Sequence, residues 1–349
     1  MTLMGVLMPT TSAGAAGGLL QRVANRPIVC HVLDQLKRAG VDSATLIVPS
    51  WGLDDLRASI AGEGPADVDI CFVPYGHERT LEDAVNAVAE LVGERPCLLH
   101  VADGLPTQPL SELVQAQAED ERPDVVAYVH RSSGESTALG THRLLRSVGY
   151  AVNGQALELA GVCMLGPGAL RRAGAAQWWR DGRLDLAGIS ERLARGGANV
   201  AIRPIEGWLQ CGGSTRQLLE LNRFLLDLLP HQANGSVSFE DEANRIEGCV
   251  VVHPTARVES STIVGPTVIG PNAQVVDAYI GPYTSIGAEV QVEGAEIERS
   301  IILPRAKITH IGGRLVGSVV GHDALVFRDF SLPRALRLNV GDGGEVALC

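Results

Sequence analysis

Three stretches of this 349-residue chain combine residue types that do chemistry, and each stands where an apolar run ends or begins. After Leu3–Met8 comes a loop of small and hydroxyl residues, Pro9–Gly18. Its Thr10, Thr11, Ser12, Gly14 and Gly17 can offer backbone N–H groups to a phosphate, or form a plain flexible loop. Arg22 is the cation that follows it. Asp103 comes after the apolar run Cys97–Val101, where a carboxylate can reach a cation. As a turn residue ahead of Pro106 it needs no ligand at all. The third stretch is the Gly207-Trp208 turn, just before a leucine-rich segment.

Alternating apolar runs and amphipathic segments position these places, which is the α/β signature. Strands are predicted at Leu3–Met8, Ala44–Val48, Asp69–Val73, Cys97–Val101, Val125–Val129, Leu159–Met164 and Val200–Ile205. Helices are predicted at Ile28–Ala39, Asp54–Ile60, Leu81–Leu91, Leu110–Glu121, Leu186–Arg195 and Thr215–Leu229. Open α/β sheets bind ligands outside the carboxyl ends of their strands. An α/β domain is expected over residues 1–230 and a polar connector over 231–250.

From 251 to 349 the period changes. Val252, Val258, Ile263, Ile269, Val275, Ile280, Ile286, Val292, Ile297, Ile302 and Ile308 recur about every sixth position. A left-handed parallel β-helix uses about eighteen residues per turn, with one apolar side chain pointing inward from each of three flat faces. Gly265, Gly270, Gly281 and Gly287 follow inward positions and are expected where the backbone bends.

Composition excludes several classes. The net charge is −11, with no basic stripe or run of four, which argues against nucleic acid or an anionic membrane as partner. No apolar stretch reaches the roughly eighteen residues a membrane span needs, and no basic segment precedes the first apolar run as in a signal peptide. The seven cysteines form no CxxC pair. Cys71, Cys97 and Cys163 sit inside apolar runs and read as reduced core thiols in a cytoplasmic protein, not as metal ligands.

The chain resembles the sugar-1-phosphate nucleotidylyltransferases, most closely the long glucose-1-phosphate thymidylyltransferase type with a β-helix tail. The matching stretches are Ala24-Asn25-Arg26-Pro27-Ile28, Val101-Ala102-Asp103-Gly104, Leu159-Ala160-Gly161-Val162 and Gly207-Trp208-Leu209-Gln210-Cys211-Gly212-Gly213. Leu218-Leu219-Glu220-Leu221-Asn222 and the tail segment Tyr279-Ile280-Gly281-Pro282-Tyr283-Thr284-Ser285-Ile286-Gly287 match as well. The resemblance covers nearly the whole chain. It implies a Rossmann-like α/β nucleotidyltransferase domain, a mixed central sheet with helices on both faces, followed by a left-handed β-helix of hexapeptide repeats. Such enzymes join a nucleoside triphosphate to a sugar 1-phosphate and release pyrophosphate. Bringing two charged phosphates together takes Mg²⁺, fixed cations and backbone donors.

Carried over position by position, the resemblance puts Asp103 at the first metal-binding aspartate and Gln210 at the second. It puts Arg79 at a glycine that lets the base approach a helix start, and Arg22 with the small-residue loop at the triphosphate. Four features depart from the family pattern. The loop is short and lacks the family's arginine and lysine, and Gln210 brings no charge. Arg79 replaces a small residue among Glu78, Glu82 and Asp83, and no lysine lies between Val129 and Leu159 to meet the sugar. Together they point to a noncatalytic member that works as a homo-oligomer through the β-helix or as partner of an active relative. The alternative is an active nucleotidylyltransferase that binds Mg²⁺, a nucleotide and a sugar or cyclitol phosphate. A remote third is a β-helix acyltransferase with His253, His310 or His322 as general base.

Overall fold

The computed structural model describes residues 3–9, 16–118, 123–131, 141, 144–145, 148–150, 157–174, 178–180, 183–211, 214–229 and 243–329. The chain divides into two compact units, Met1–Leu229 and Pro230–Cys349.

In the first unit, β1 (Leu3–Met8) is buried at every position, as a strand covered on both faces must be. It pairs in parallel with β4 (Val41–Pro49) on one side and β6 (Cys97–Val101) on the other. Beyond β4 lies β5 (Asp69–Tyr75), again parallel. Beyond β6 lie β9 (Leu157–Leu165), β8 (Val125–Arg131) and β12 (Val200–Pro204), giving the order β12-β8-β9-β6-β1-β4-β5. Strand β9 runs antiparallel to both neighbours, so the sheet is mixed. The chain goes from β1 outward to β4 and β5, then returns to β6 on the far side of β1. The strand order therefore reverses between β1 and β6, and the crevice at their carboxyl ends is the favoured ligand position.

Helix α2 (Ile28–Arg38) buries Ile28, Val29, Val32, Leu33 and Leu36, one stripe at helical spacing. Helix α4 (Leu81–Val92) starts in a Thr80–Asp83 capping box and buries Ala84, Val85, Val88 and Val92. Helix α3 (Leu53–Glu63) follows a 3₁₀ turn, Ser50–Gly52. Helix α8 (Thr215–Asp227) is capped by Ser214 and closes the unit. Helices α5 (Leu110–Ala118), α6 (Ala169–Ala173) and α7 (Leu186–Arg195) belong to the same unit.

Four local features depart from the sequence reading. The expected Gly207-Trp208 turn leads directly into β13 (Trp208–Gln210), which pairs antiparallel with β7 (Gly104–Pro106). Helix α1 (Ala16–Leu20) starts inside the expected loop and includes Gly17. A hairpin of β2 (Arg22–Val23) and β3 (Arg26–Pro27) follows it. The hairpin turn places Ala24 and Asn25 at φ 46° and 63°, the left-handed pair that a tight two-residue turn requires. Cys71 is exposed rather than in the core, because β5 is the edge strand. Cys97 and Cys163 are buried as expected.

In the second unit, fifteen short strands form three parallel sheets of five, and the apolar ladder runs through all three. Ile246, Ile263, Ile280, Ile297 and Leu315 stack in one column. Val252, Ile269, Ile286, Ile302 and Val320 stack in the second. Val258, Val275, Val292, Ile308 and Val326 stack in the third. This is the left-handed β-helix. It begins at Arg245, inside the stretch read as a connector. Gly265, Gly270, Gly281 and Gly287 all lie in the corner segments between strands, as expected, while positive φ falls on neighbouring corner residues such as Ser260, Asn272, Asp277 and Glu289. The glycines also let coils approach. A Cβ on Gly287 would lie 2.8 Å from the Ile302 carbonyl oxygen, and one on Gly270 would lie 2.9 Å from the Ala288 nitrogen.

Candidate functional site

The backbone holds Asp103 in place. Its N–H donates to the Val101 carbonyl at 2.7 Å, and its own carbonyl accepts the Cys211 N–H at 2.5 Å. The antiparallel pairing of β7 with β13 sets Gln210 opposite Gly104. The backbone of Gln210 and Cys211 thus lies alongside Asp103 and Gly104, just past the carboxyl end of β6. The Trp208 ring packs over this corner and requires glycine beneath it. A Cβ on Gly161 would lie 2.6 Å from that ring and 2.7 Å from Asp103 Oδ1.

Behind the corner, His100 is fully buried, its ring tilted against Trp208 at 5.4 Å. Burial lowers its pKa to about 4, so the imidazole is neutral at pH 7. The Cys211 thiol is pushed up to about 12 by burial and, next, by the charge of Asp103. It is a protonated packing group, not a nucleophile. Gln210 is exposed, and its Oε1 accepts a hydrogen bond from Gln217 Nε2 at 3.3 Å. That oxygen is the atom a cation would need. Among the described residues, no group of three or more His, Cys, Asp or Glu converges as a metal cage would. Mg²⁺ usually takes only one or two carboxylates and draws further ligands from substrate phosphates, so Asp103 fits that part of the requirement.

The cations are differently placed. Arg22 forms a bidentate pair with Glu63 of α3, at 2.9 and 2.8 Å, and also donates to the Asn25 carbonyl at 2.5 Å. Arg26 pairs with Asp34 at 2.6 Å and donates to the Glu63 carbonyl at 2.5 Å. The hairpin carrying both is also tied to α8, where Asn222 Oδ1 accepts the Ala24 N–H at 2.8 Å. Thr10, Thr11, Ser12 and Gly14 lie outside the described residues. Arg79 is exposed in the loop between β5 and α4. Strand β5 stands three strands from β6, about 14 Å across the sheet. The fold therefore brings Asp103 and Gln210 together, sets Arg79 at the opposite end of the same sheet edge, and commits Arg22 to a carboxylate. Glu63 carried no sequence signal, being a single acid at a helix end. His100 carried a faint one, a lone polar residue inside an apolar run.

No protein-family model matches the chain. Curated relatives match along its whole length. The glucose-1-phosphate thymidylyltransferase of Streptomyces antibioticus is 30 % identical over 352 residues, covering 98 % of this chain and 96 % of that protein. The glucose-1-phosphate thymidylyltransferase of Streptomyces griseus is 27 % identical, covering 96 % and 94 %. The low-salt glycan biosynthesis nucleotidyltransferase Agl11 of Haloferax volcanii is 25 % identical, covering 98 % and 96 %. With the reversal point between β1 and β6, the Asp103 corner and the β-helix all in place, this chain belongs to the sugar-1-phosphate nucleotidylyltransferase family.

Proposed function

We propose that this protein is a noncatalytic member of its family that acts through assembly, either with its own copies through the β-helix or with an active relative. One observation carries the reading: both arginines that follow the small-residue loop are neutralised. Arg22 meets Glu63 as a guanidinium would meet a phosphate, through two parallel hydrogen bonds. Opening that part-buried pair would strand a carboxylate, so the arrangement resists a triphosphate. Gln210 adds to this, with no charge and its oxygen engaged. The free thiols of Cys30, Cys97, Cys163 and Cys211 fit a reducing, cytoplasmic setting. Among the described residues no helix is long and apolar enough to cross a membrane.

The decisive assay offers a sugar 1-phosphate, Mg²⁺ and each nucleoside triphosphate in turn. The expected result is no pyrophosphate. Release that disappears in Asp103→Ala would overturn the reading. For assembly, light scattering compares the full chain with residues 1–240. A mass above the monomer is expected only for the full chain, and two monomeric masses would refute it.

A second reading, an active nucleotidylyltransferase for a sugar or cyclitol phosphate, is favoured by the side-by-side placement of Asp103 and Gln210. In that case Asp103 would hold Mg²⁺, whose chemistry is to neutralise charge on the phosphates. The carboxyl edge of β1 would orient the nucleotide. A nucleotide-dependent rise in melting temperature that requires Mg²⁺ is its signature.

A further inference from the structure

The three sheets of the β-helix differ on their outer sides. Side chains alternate in and out along a strand, so the residue before each inward apolar one points outward. One sheet carries Arg257, Gln274, Gln291 and Lys307 there, all exposed. A second carries Arg245, Thr262, Tyr279, Glu296 and Arg314. The third carries Val251, Val268, Ser285, Ile301 and Val319, a column without a charge. In the middle of that column Ser285 is 0 % exposed and Ile301 is 2 % exposed. Stacking of the coils does not cover outward side chains, since Gln291 and Lys307 stand open on the neighbouring sheet. The burial of Ser285 and Ile301 arises within one chain, so another part of the same chain lies over them.

Residues 330–349 lie outside the described residues, and their sequence suits this column. Leu336, Leu338 and Val340 alternate with Arg337 and Asn339. Gly341-Asp342-Gly343-Gly344 follows, and then Val346 and Leu348 alternate with Ala347 and Cys349. Two alternating runs around a Gly/Asp turn are the signature of a β-hairpin with one apolar face. A two-stranded hairpin is marginal in water unless that face is packed against something. The lengths agree: five extended residues span about 17 Å, and five strands about 4.8 Å apart span about 19 Å. Residues 330–335 reach up to about 20 Å, enough for the chain to turn back from Asp329 over the stack. We propose that residues 335–349 form a hairpin whose apolar face lies on the Val268, Ser285 and Ile301 side of the β-helix. This goes beyond the assembly reading, for it leaves only the two polar sides of the β-helix for contacts between chains.

The test is disulfide trapping in the full-length protein with Cys71 and Cys349 replaced by serine. Ser285→Cys or Ile301→Cys is combined with Leu336→Cys, Leu338→Cys or Val340→Cys, and with Arg337→Cys or Asn339→Cys as controls. Ser285→Cys is nearly isosteric, so the fold survives even where Ile301→Cys costs stability. A disulfide within one chain is expected for at least one of the three apolar positions, about tenfold faster than for either control. No disulfide in any pair, equal rates in the controls, or bonds formed only between two chains would each overturn the proposal. Leu338→Asp should lower the melting temperature of the β-helix while Leu338→Met leaves it unchanged, and a Leu338→Asp protein that melts like the parent would also overturn it.

Discussion

Around Asp103 the smallest side chains matter most. Gly161 leaves room for both the Trp208 ring and the carboxylate, so Gly161→Ala should destabilise the first unit by about 1–3 kcal/mol through overpacking. Gly62, in the last turn of α3, meets nothing within 4 Å. Gly62→Ala should therefore raise stability by up to about 1 kcal/mol. Urea unfolding of the two variants compares them directly, and equal shifts would refute the packing account. The buried histidines set a pH dependence. Burial lowers the pKa of both His31 and His100 from 6.5 to about 4. Between those values the unfolded chain binds protons that the folded chain refuses. Stability is then complete above about pH 6.5 and falls as the pH drops toward 4. Replacing His100 by leucine should flatten that slope by up to about 1.4 kcal/mol per pH unit, read from urea midpoints at pH 7 and pH 5.

Elements were legible where a period ran unbroken. The 3.6-residue stripe of α2 and the six-residue ladder of the β-helix both stand where the sequence places them, since each is enforced by burial of one face. Short pieces were not legible. The pairing of β7 with β13 joins segments far apart in the chain, and two- or three-residue strands such as those of the hairpin β2–β3 have no period of their own. Two substitutions test the elements. Thr80→Ala removes the hydroxyl that accepts the Asp83 N–H and donates to the Asp83 carboxylate, and should cost about 1 kcal/mol. Ile280 is fully buried in the middle of its column, and Ile280→Ala should cost about 2–5 kcal/mol. Thermal melts followed by circular dichroism check both, and a cost below that of Thr80→Ala for the isoleucine would contradict the stacked core.

At the scale of the whole molecule, the chain holds two units with separate apolar cores. Calorimetry of the full-length protein is expected to show more than one transition, with Ile280→Ala shifting one and Gly161→Ala another. A single transition shifted by either variant would show that the units unfold together. By itself the sequence determined the α/β alternation, the β-helix with its inward residues, Asp103 at a strand end and the family. The first three follow from local periodicity and residue type, and the family from the resemblance carried by stretches such as Val101-Ala102-Asp103-Gly104. Only the tertiary structure decided that Gln210 stands beside Asp103 and that Arg22 closes on Glu63. Each of those depends on which strands and helices become neighbours, and pairing at a distance leaves no mark on the residues it joins.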